Sequence, residues 1–217
     1  MRKNIFITLF VFIIALVPVF YLAAIYNSLP ETVPTHFGFS GKPDSFGNKN
    51  ILWTTGAILP VVSIGIYFLL SNLYRIDPKK TAKLSPEVFS KIGMAVVLLF
   101  AALGISIIYA AAHGTFNVRL LLPIISLFFV YMGNMMHSIK PNYFVGIRLP
   151  WTLEDPDNWR VTHQLAGKLW FIGGIIITIA TLLLPEKIAM IFFFCGTAVI
   201  VLVPIISSYR YFKSHAS

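Results

Sequence analysis

The sequence predicts an all-α integral membrane protein, a bundle of six transmembrane helices with both termini in the cytoplasm. Three observations predict it. Of the 217 residues, 57% are hydrophobic and only 12% are charged, with a mean hydropathy of +0.80. A soluble domain is about a quarter charged, and its surface must stay largely polar, so one of this length has nowhere to hide so much apolar surface. Apolar runs long enough for a bilayer occur six times. The basic residues between those runs fall mostly on one side, as cytoplasmic loops require.

Taken in order, the runs are Asn4–Tyr26, Ile51–Ser71, Ile92–Ala112, Leu120–Met136, Leu169–Leu184 and Ile188–Ser208. The first follows Arg2 and Lys3, but its apolar core is longer than that of a signal peptide and no small-residue cleavage site follows, so it reads as a span. The fifth is short, and its helix is expected to begin upstream. With the N-terminus inside, 13 of the 17 Lys and Arg residues face the cytoplasm, and Lys42, Lys49, Arg119 and Lys187 lie outside. The net charge of +9 is thus a membrane-topology signal, with no direct contact to nucleic acid expected. The outside loops are 27–50, 113–119 and 185–187, and the inside loops 72–91 and 137–168. The whole chain, 1–217, reads as a single polytopic domain. Loop 27–50 forms an extracellular module within it, and loop 137–168 is a distinctive cytoplasmic segment.

The spans are as informative for what they omit. All eight acidic residues lie outside the apolar runs, and no Lys or Arg sits mid-span. A proton- or ion-coupled transporter usually needs an ionisable group there. Pro18, Pro60, Pro123 and Pro204 each interrupt a different run. Prolines remove a backbone hydrogen bond; membrane helices commonly tolerate them, and they can also make a helix pair adaptable. The single Cys195 excludes an intrachain disulfide and reads as a small hydrophobe. No zincin, nucleophile-elbow or phosphate-loop motif is present, so no catalytic residue and no cofactor is expected. His36 and Asp44 share loop 27–50 without an evident third ligand. A metal-dependent enzyme using them, or a passive channel, is the alternative reading.

Loop 27–50 carries Pro30, Pro34, Gly38, Gly41, Pro43 and Asp44 with Phe37, Phe39 and Phe46. The prolines bias Leu29 and Val33 toward extended backbone, and the remaining small residues favour turns. Such a loop can be a structural cap, a surface for an extracellular ligand, or both. In loop 137–168, Asp155 is a candidate N-cap, with Pro156 at the first helical position and Asp157 in the first turn. From Pro156 no breaker occurs until the end of the fifth run at Leu184. On that helix Trp159, His163, Gly167, Trp170 and Gly174 share one face, which suits close helix packing. His163 reads as a hydrogen-bonded packing residue. Arg160, Gln164 and Lys168 share another face, on which the two cations can meet anionic headgroups. Arg148 is expected to pair with Glu154, Asp155 or Asp157, or with a lipid phosphate. Arg148, Trp151 and Trp159 are the expected anchors for a cytosolic partner.

Asn134, Asn142, Gly146-Ile147-Arg148, Pro150-Trp151-Thr152-Leu153, Trp159 and Thr162-His163 resemble, in this order, the signature of the SdpI family of bacterial membrane proteins. Leu149 stands where that family usually has Thr, and Gln164 where it often has Arg. Leu29-Pro30, Val33-Pro34, His36, Gly41, Pro43-Asp44 and Lys49 are similar to a module of unknown function often found at the front of these proteins. The resemblance implies a multi-pass protein of the plasma membrane that gives immunity to a secreted killing peptide, in the manner of bacteriocin resistance. It also implies signal transduction, in which a transcriptional repressor is held at the membrane once toxin is bound. On this reading His36, Gly41, Pro43, Asp44 and Lys49 face the toxin. The 137–168 signature faces a cytosolic partner.

Overall fold

A computed structural model describes residues 5–38, 41–73 and 86–215. Arg2, Lys3, Phe39 and the basic residues Arg75, Lys79, Lys80 and Lys83 lie outside the described residues. Helix α1 spans Ile5–Ile25 and is followed by a single 3₁₀ turn, Tyr26–Ser28. Strands β1 (Thr32–Phe37) and β2 (Pro43–Asn48) come next, then helices α2 (Ile51–Ser71), α3 (Pro86–His113) and α4 (Val118–Met136). The chain ends with the short α5 (Pro150–Glu154), α6 (Pro156–Leu183) and α7 (Glu186–His215). All of these helices except α5 are long and apolar enough to cross a bilayer, which makes six. Their large apolar side chains lie open on the surface, with Phe6 and Leu183 each 77% exposed, as lipid-facing residues are.

The apolar runs locate the helices and understate their lengths. The fifth run grows upstream to Pro156 because Asp155 caps it, its Oδ1 accepting from the Asp157 N–H at 2.8 Å. Helices α3 and α7 likewise run past their apolar cores, from Pro86 and to His215. Pro18, Pro60, Pro123 and Pro204 are all inside helices and all buried, so each turns toward protein rather than lipid.

The chain divides into two compact units. The first comprises residues 1–70 and 93–121. Its core joins Leu22, Leu29, Val33, Leu52, Ile108 and Ala111. A second cluster joins Val11, Ala15, Tyr67 and Val97. The ring of Pro18 fits a notch at Gly104, where an added Cβ would lie 3.0 Å from it. Loop 27–50 folds as an antiparallel hairpin, which the turn-rich sequence did not lead us to expect. Pro43 and Asp44, read as turn formers, lie in β2 instead. Pro34 is accommodated because a two-stranded sheet is all edge, and the pairing is bulged on either side of His36.

The second unit comprises residues 71–92 and 122–217. Here α4 and α6 approach backbone to backbone. A Cβ on Gly133 would collide with the Phe171 backbone nitrogen, one on Gly167 would lie 3.1 Å from the Gly133 oxygen, and one on Gly174 3.1 Å from the Ser126 oxygen. Without a hydrophobic force between helices in lipid, such close contact of small residues supplies the packing energy. On its other flank α6 meets α7: the Trp170 Nε1–H donates to the Ile200 oxygen at 3.0 Å, and Gly173 receives the Ile200 side chain. Cys195 lies exposed on α7.

Candidate functional site

The 137–168 segment is not an open loop. It is a knot of side-chain-to-backbone hydrogen bonds seated on the first turns of α6. Asn142 is 2% exposed and makes four bonds. Its Nδ2 donates to the Lys140 oxygen at 2.8 Å and the Val145 oxygen at 2.9 Å. Its Oδ1 accepts from the Phe144 and Val145 N–H groups, both at 2.8 Å. An amide side chain carries two donors and an acceptor oxygen, so this one residue serves both polarities of the tight turn.

Gly146 follows at φ 120°, a conformation that L side chains rarely adopt. It also lies against His163 and the Trp159 ring, so a Cβ would have no room. His163 is stacked on Trp159 with centroids 4.0 Å apart. Its Nδ1 is 2.8 Å from the Trp159 oxygen, and its Nε2 accepts from the Ile147 N–H at 3.1 Å. A carbonyl on one side and an amide donor on the other fix the neutral Nδ1–H tautomer. Trp159 donates through Nε1 to the Ile139 oxygen at 2.8 Å.

Pro150 opens α5, where its missing N–H costs nothing, and Thr152 closes the first turn. The Thr152 hydroxyl accepts from the Leu149 N–H at 2.9 Å and is 2.8 Å from the Ile147 oxygen. A second chain of bonds ties this segment to α7. Trp151 Nε1–H donates to Ser208 Oγ at 2.9 Å, and Ser208 Oγ donates to Asn158 Oδ1 at 2.8 Å. Asn158 Oδ1 also accepts from the Thr162 hydroxyl at 3.0 Å, while its Nδ2 donates to the Ser208 oxygen at 3.1 Å. Asn158, Thr162 and Ser208 are buried. Trp151 also packs on Tyr209 and Phe212.

Nine of the ten signature residues therefore lie in this knot or on its rim, while Asn134 lies apart on the exposed face of α4. Two expectations are corrected. Trp159 is 2% exposed, so it supports the knot and presents no docking surface. Arg148 donates to the Tyr143 oxygen and to none of the three acids among the described ion pairs, while Asp155 caps α6 and Asp157 pairs with Arg160 at 3.2 Å. Asn158 and Ser208 were missed. Asn158 lies within the segment, but Ser208 is 50 residues away, and only the fold brings the two together.

On the hairpin, His36 Nδ1 and Asp44 Oδ1 are 2.5 Å apart, with both side chains more than half exposed. Among the described residues no group of three or more His, Cys, Asp or Glu is placed to hold a metal. Gly41 (φ 69°) makes the turn, and its oxygen accepts from the Phe116 N–H at 3.2 Å. Pro43 pairs with Phe37. Lys49 is turned inward: it meets Glu31 at 3.0 Å and lies over the Tyr26 ring at 5.0 Å. It clamps the base of the hairpin, where its N–H also donates to the Glu31 oxygen at 3.0 Å. Of the five hairpin residues, His36 and Asp44 offer open polar atoms.

Residues 138–208, which contain the knot and its α7 anchor, match the model of the SdpI/YfhL protein family. Residues 13–63 match a domain of unknown function, DUF1648, which takes in half of α1, the hairpin and half of α2. The chain is 28% identical over 190 residues to "Immunity protein SdpI" of Bacillus subtilis (strain 168), covering 87% of each protein. It is 57% identical over 37 residues to an uncharacterized protein of Archaeoglobus fulgidus, covering 17% of this chain and 18% of that one. No solved structure matches. With six membrane-capable helices and this family relationship, the chain is a multi-pass bacterial membrane protein.

Proposed function

We propose that the chain is a membrane immunity protein that protects a bacterial cell from a secreted killing peptide. The observation that carries this reading is its similarity, over 87% of each chain, to the Bacillus subtilis immunity protein, with family matches at the hairpin and at the knot. The reading includes a division of labour. The hairpin, on the outer side if the N-terminus is cytoplasmic, offers the paired His36 and Asp44 to the toxin. The knot holds α5, α6 and α7 in register so that the membrane part can receive it. The role needs binding and no catalytic group.

Expression in a cell sensitive to such a peptide tests this by survival. The parent chain is expected to protect, and His36→Ala at equal membrane level is expected to lose most protection. A parent that protects against no peptide of this type overturns the reading. Metal analysis of protein purified without chelator tests the metal-enzyme alternative, and stoichiometric metal at His36 and Asp44 would favour it.

Tethering of a transcriptional repressor is the second reading. The exposure of Arg148 and Tyr143 on the outer side of the knot favours it. A pull-down from cytosol with and without toxin tests it: toxin-dependent capture lost in Arg148→Ala supports it, and no capture in either state overturns it.

A further inference from the structure

Beside the close contact of α4 and α6 lies a groove of about 520 Å³. Its polar end is formed by Asn134, His137, Gln164 and Lys168, and its apolar end by Phe171 and Ile172. None of its lining residues is acidic. Lys168 is exposed and forms no ion pair among those described, and Asn134 and Gln164 are exposed beside it.

The groove opens onto two continuous stripes. Along α6, Lys168 is followed at helical spacing by Ile172, Ile176 and Ile179, each more than half exposed. Along α4, Asn134 is followed one double turn away by Leu127, 54% exposed. Both faces thus pass from polar to apolar in the same direction, since α4 and α6 run antiparallel past the Gly133–Gly167 contact. From Lys168 to Ile179 is 11 residues, or about 16 Å of helix. That matches one leaflet of hydrocarbon, about 15 Å thick.

We propose that this groove binds one anionic phospholipid of the adjoining leaflet. Its headgroup phosphate lies against Lys168, Asn134 and Gln164, and an acyl chain lies along Ile172, Ile176 and Ile179. The cation at a headgroup-deep position, the absence of acids and the length of the apolar stripe select an anionic lipid over a soluble anion. All of its lining residues belong to the second unit.

The test uses the purified full-length chain in detergent, incubated with equal amounts of phosphatidylglycerol and phosphatidylcholine, with bound lipid read by native mass spectrometry. The parent is expected to retain phosphatidylglycerol several-fold over phosphatidylcholine. Lys168→Ala is expected to lower that preference about five-fold, the worth of one lysine near an anionic surface, and Lys168→Arg to keep it. Lys187→Ala, in the first turn of α7 and outside the groove, is expected to leave it unchanged. Lys168 is exposed, so the helical content of each variant confirms that the fold is intact. No preference in the parent, or an undiminished preference in Lys168→Ala, overturns the proposal. Displacement of the lipid by millimolar inorganic phosphate assigns the site to the free anion and overturns it as well.

Discussion

Gly146 and His163 show how little freedom the knot leaves its members. Gly146 is held at φ 120° with its α-carbon against an imidazole, so Gly146→Ala meets backbone strain and a collision together. We expect a loss of about 2 kcal/mol or more, read as a lower unfolding midpoint in detergent. His163→Phe keeps a ring on Trp159 but leaves the Ile147 N–H without its acceptor. That change is expected to cost about 1–3 kcal/mol, the penalty of one buried unsatisfied donor. The sequence marked both residues, His163 by its place on a helix face and Gly146 through the family resemblance. It could not show that they touch. Their contact joins positions 17 residues apart, through a φ value that no pattern reports. Arg148 was misread for a similar reason, since its partner in space is the backbone oxygen of Tyr143, which no pattern of charges reports.

Elements were legible where lipid is the constraint. A helix in a bilayer must satisfy its own backbone and present an apolar surface, and both demands are written in composition. That is why the six apolar runs located the six helices, and why Asp155 and Pro156 marked where α6 starts. The hairpin was less visible because Pro34, Gly47 and two bulges blur the alternation by which strands announce themselves. The small-residue face of α6 supplies the test at this scale. Gly167→Leu would push α4 away from α6 at the Gly133 backbone and is expected to reduce membrane accumulation sharply. Gly65 in α2 has nothing within 4 Å of an added Cβ. Gly65→Ala is expected to be neutral or stabilising by about 0.5–1 kcal/mol, as for any open helix interior. Parallel expression levels of the two variants check the contrast.

Over the whole molecule the charge distribution sets the expected topology. With both termini taken as cytoplasmic, 13 of the 17 cations are expected on that side. A reporter active only in the cytoplasm should therefore work when fused at either terminus, and fail when inserted after Lys42 or Gly114. Swapped activities would invert the orientation and place the hairpin inside. The proposed lipid groove would then face the opposite leaflet, with its chemistry unchanged.

The segment between Ile139 and Pro150 has no regular secondary structure, yet the N–H groups of Phe144, Val145, Ile147 and Leu149 all end on side-chain acceptors held by Asn142, His163 and Thr152. In deuterated buffer this stretch should exchange its amide protons at helix-like rates, although it looks like a loop. A solvent-facing connection between spans ordinarily exchanges within moments. Here slow exchange would travel as a block with the first turns of α6, and release of the Ile147 proton alone in His163→Phe would show that each acceptor guards its own amide.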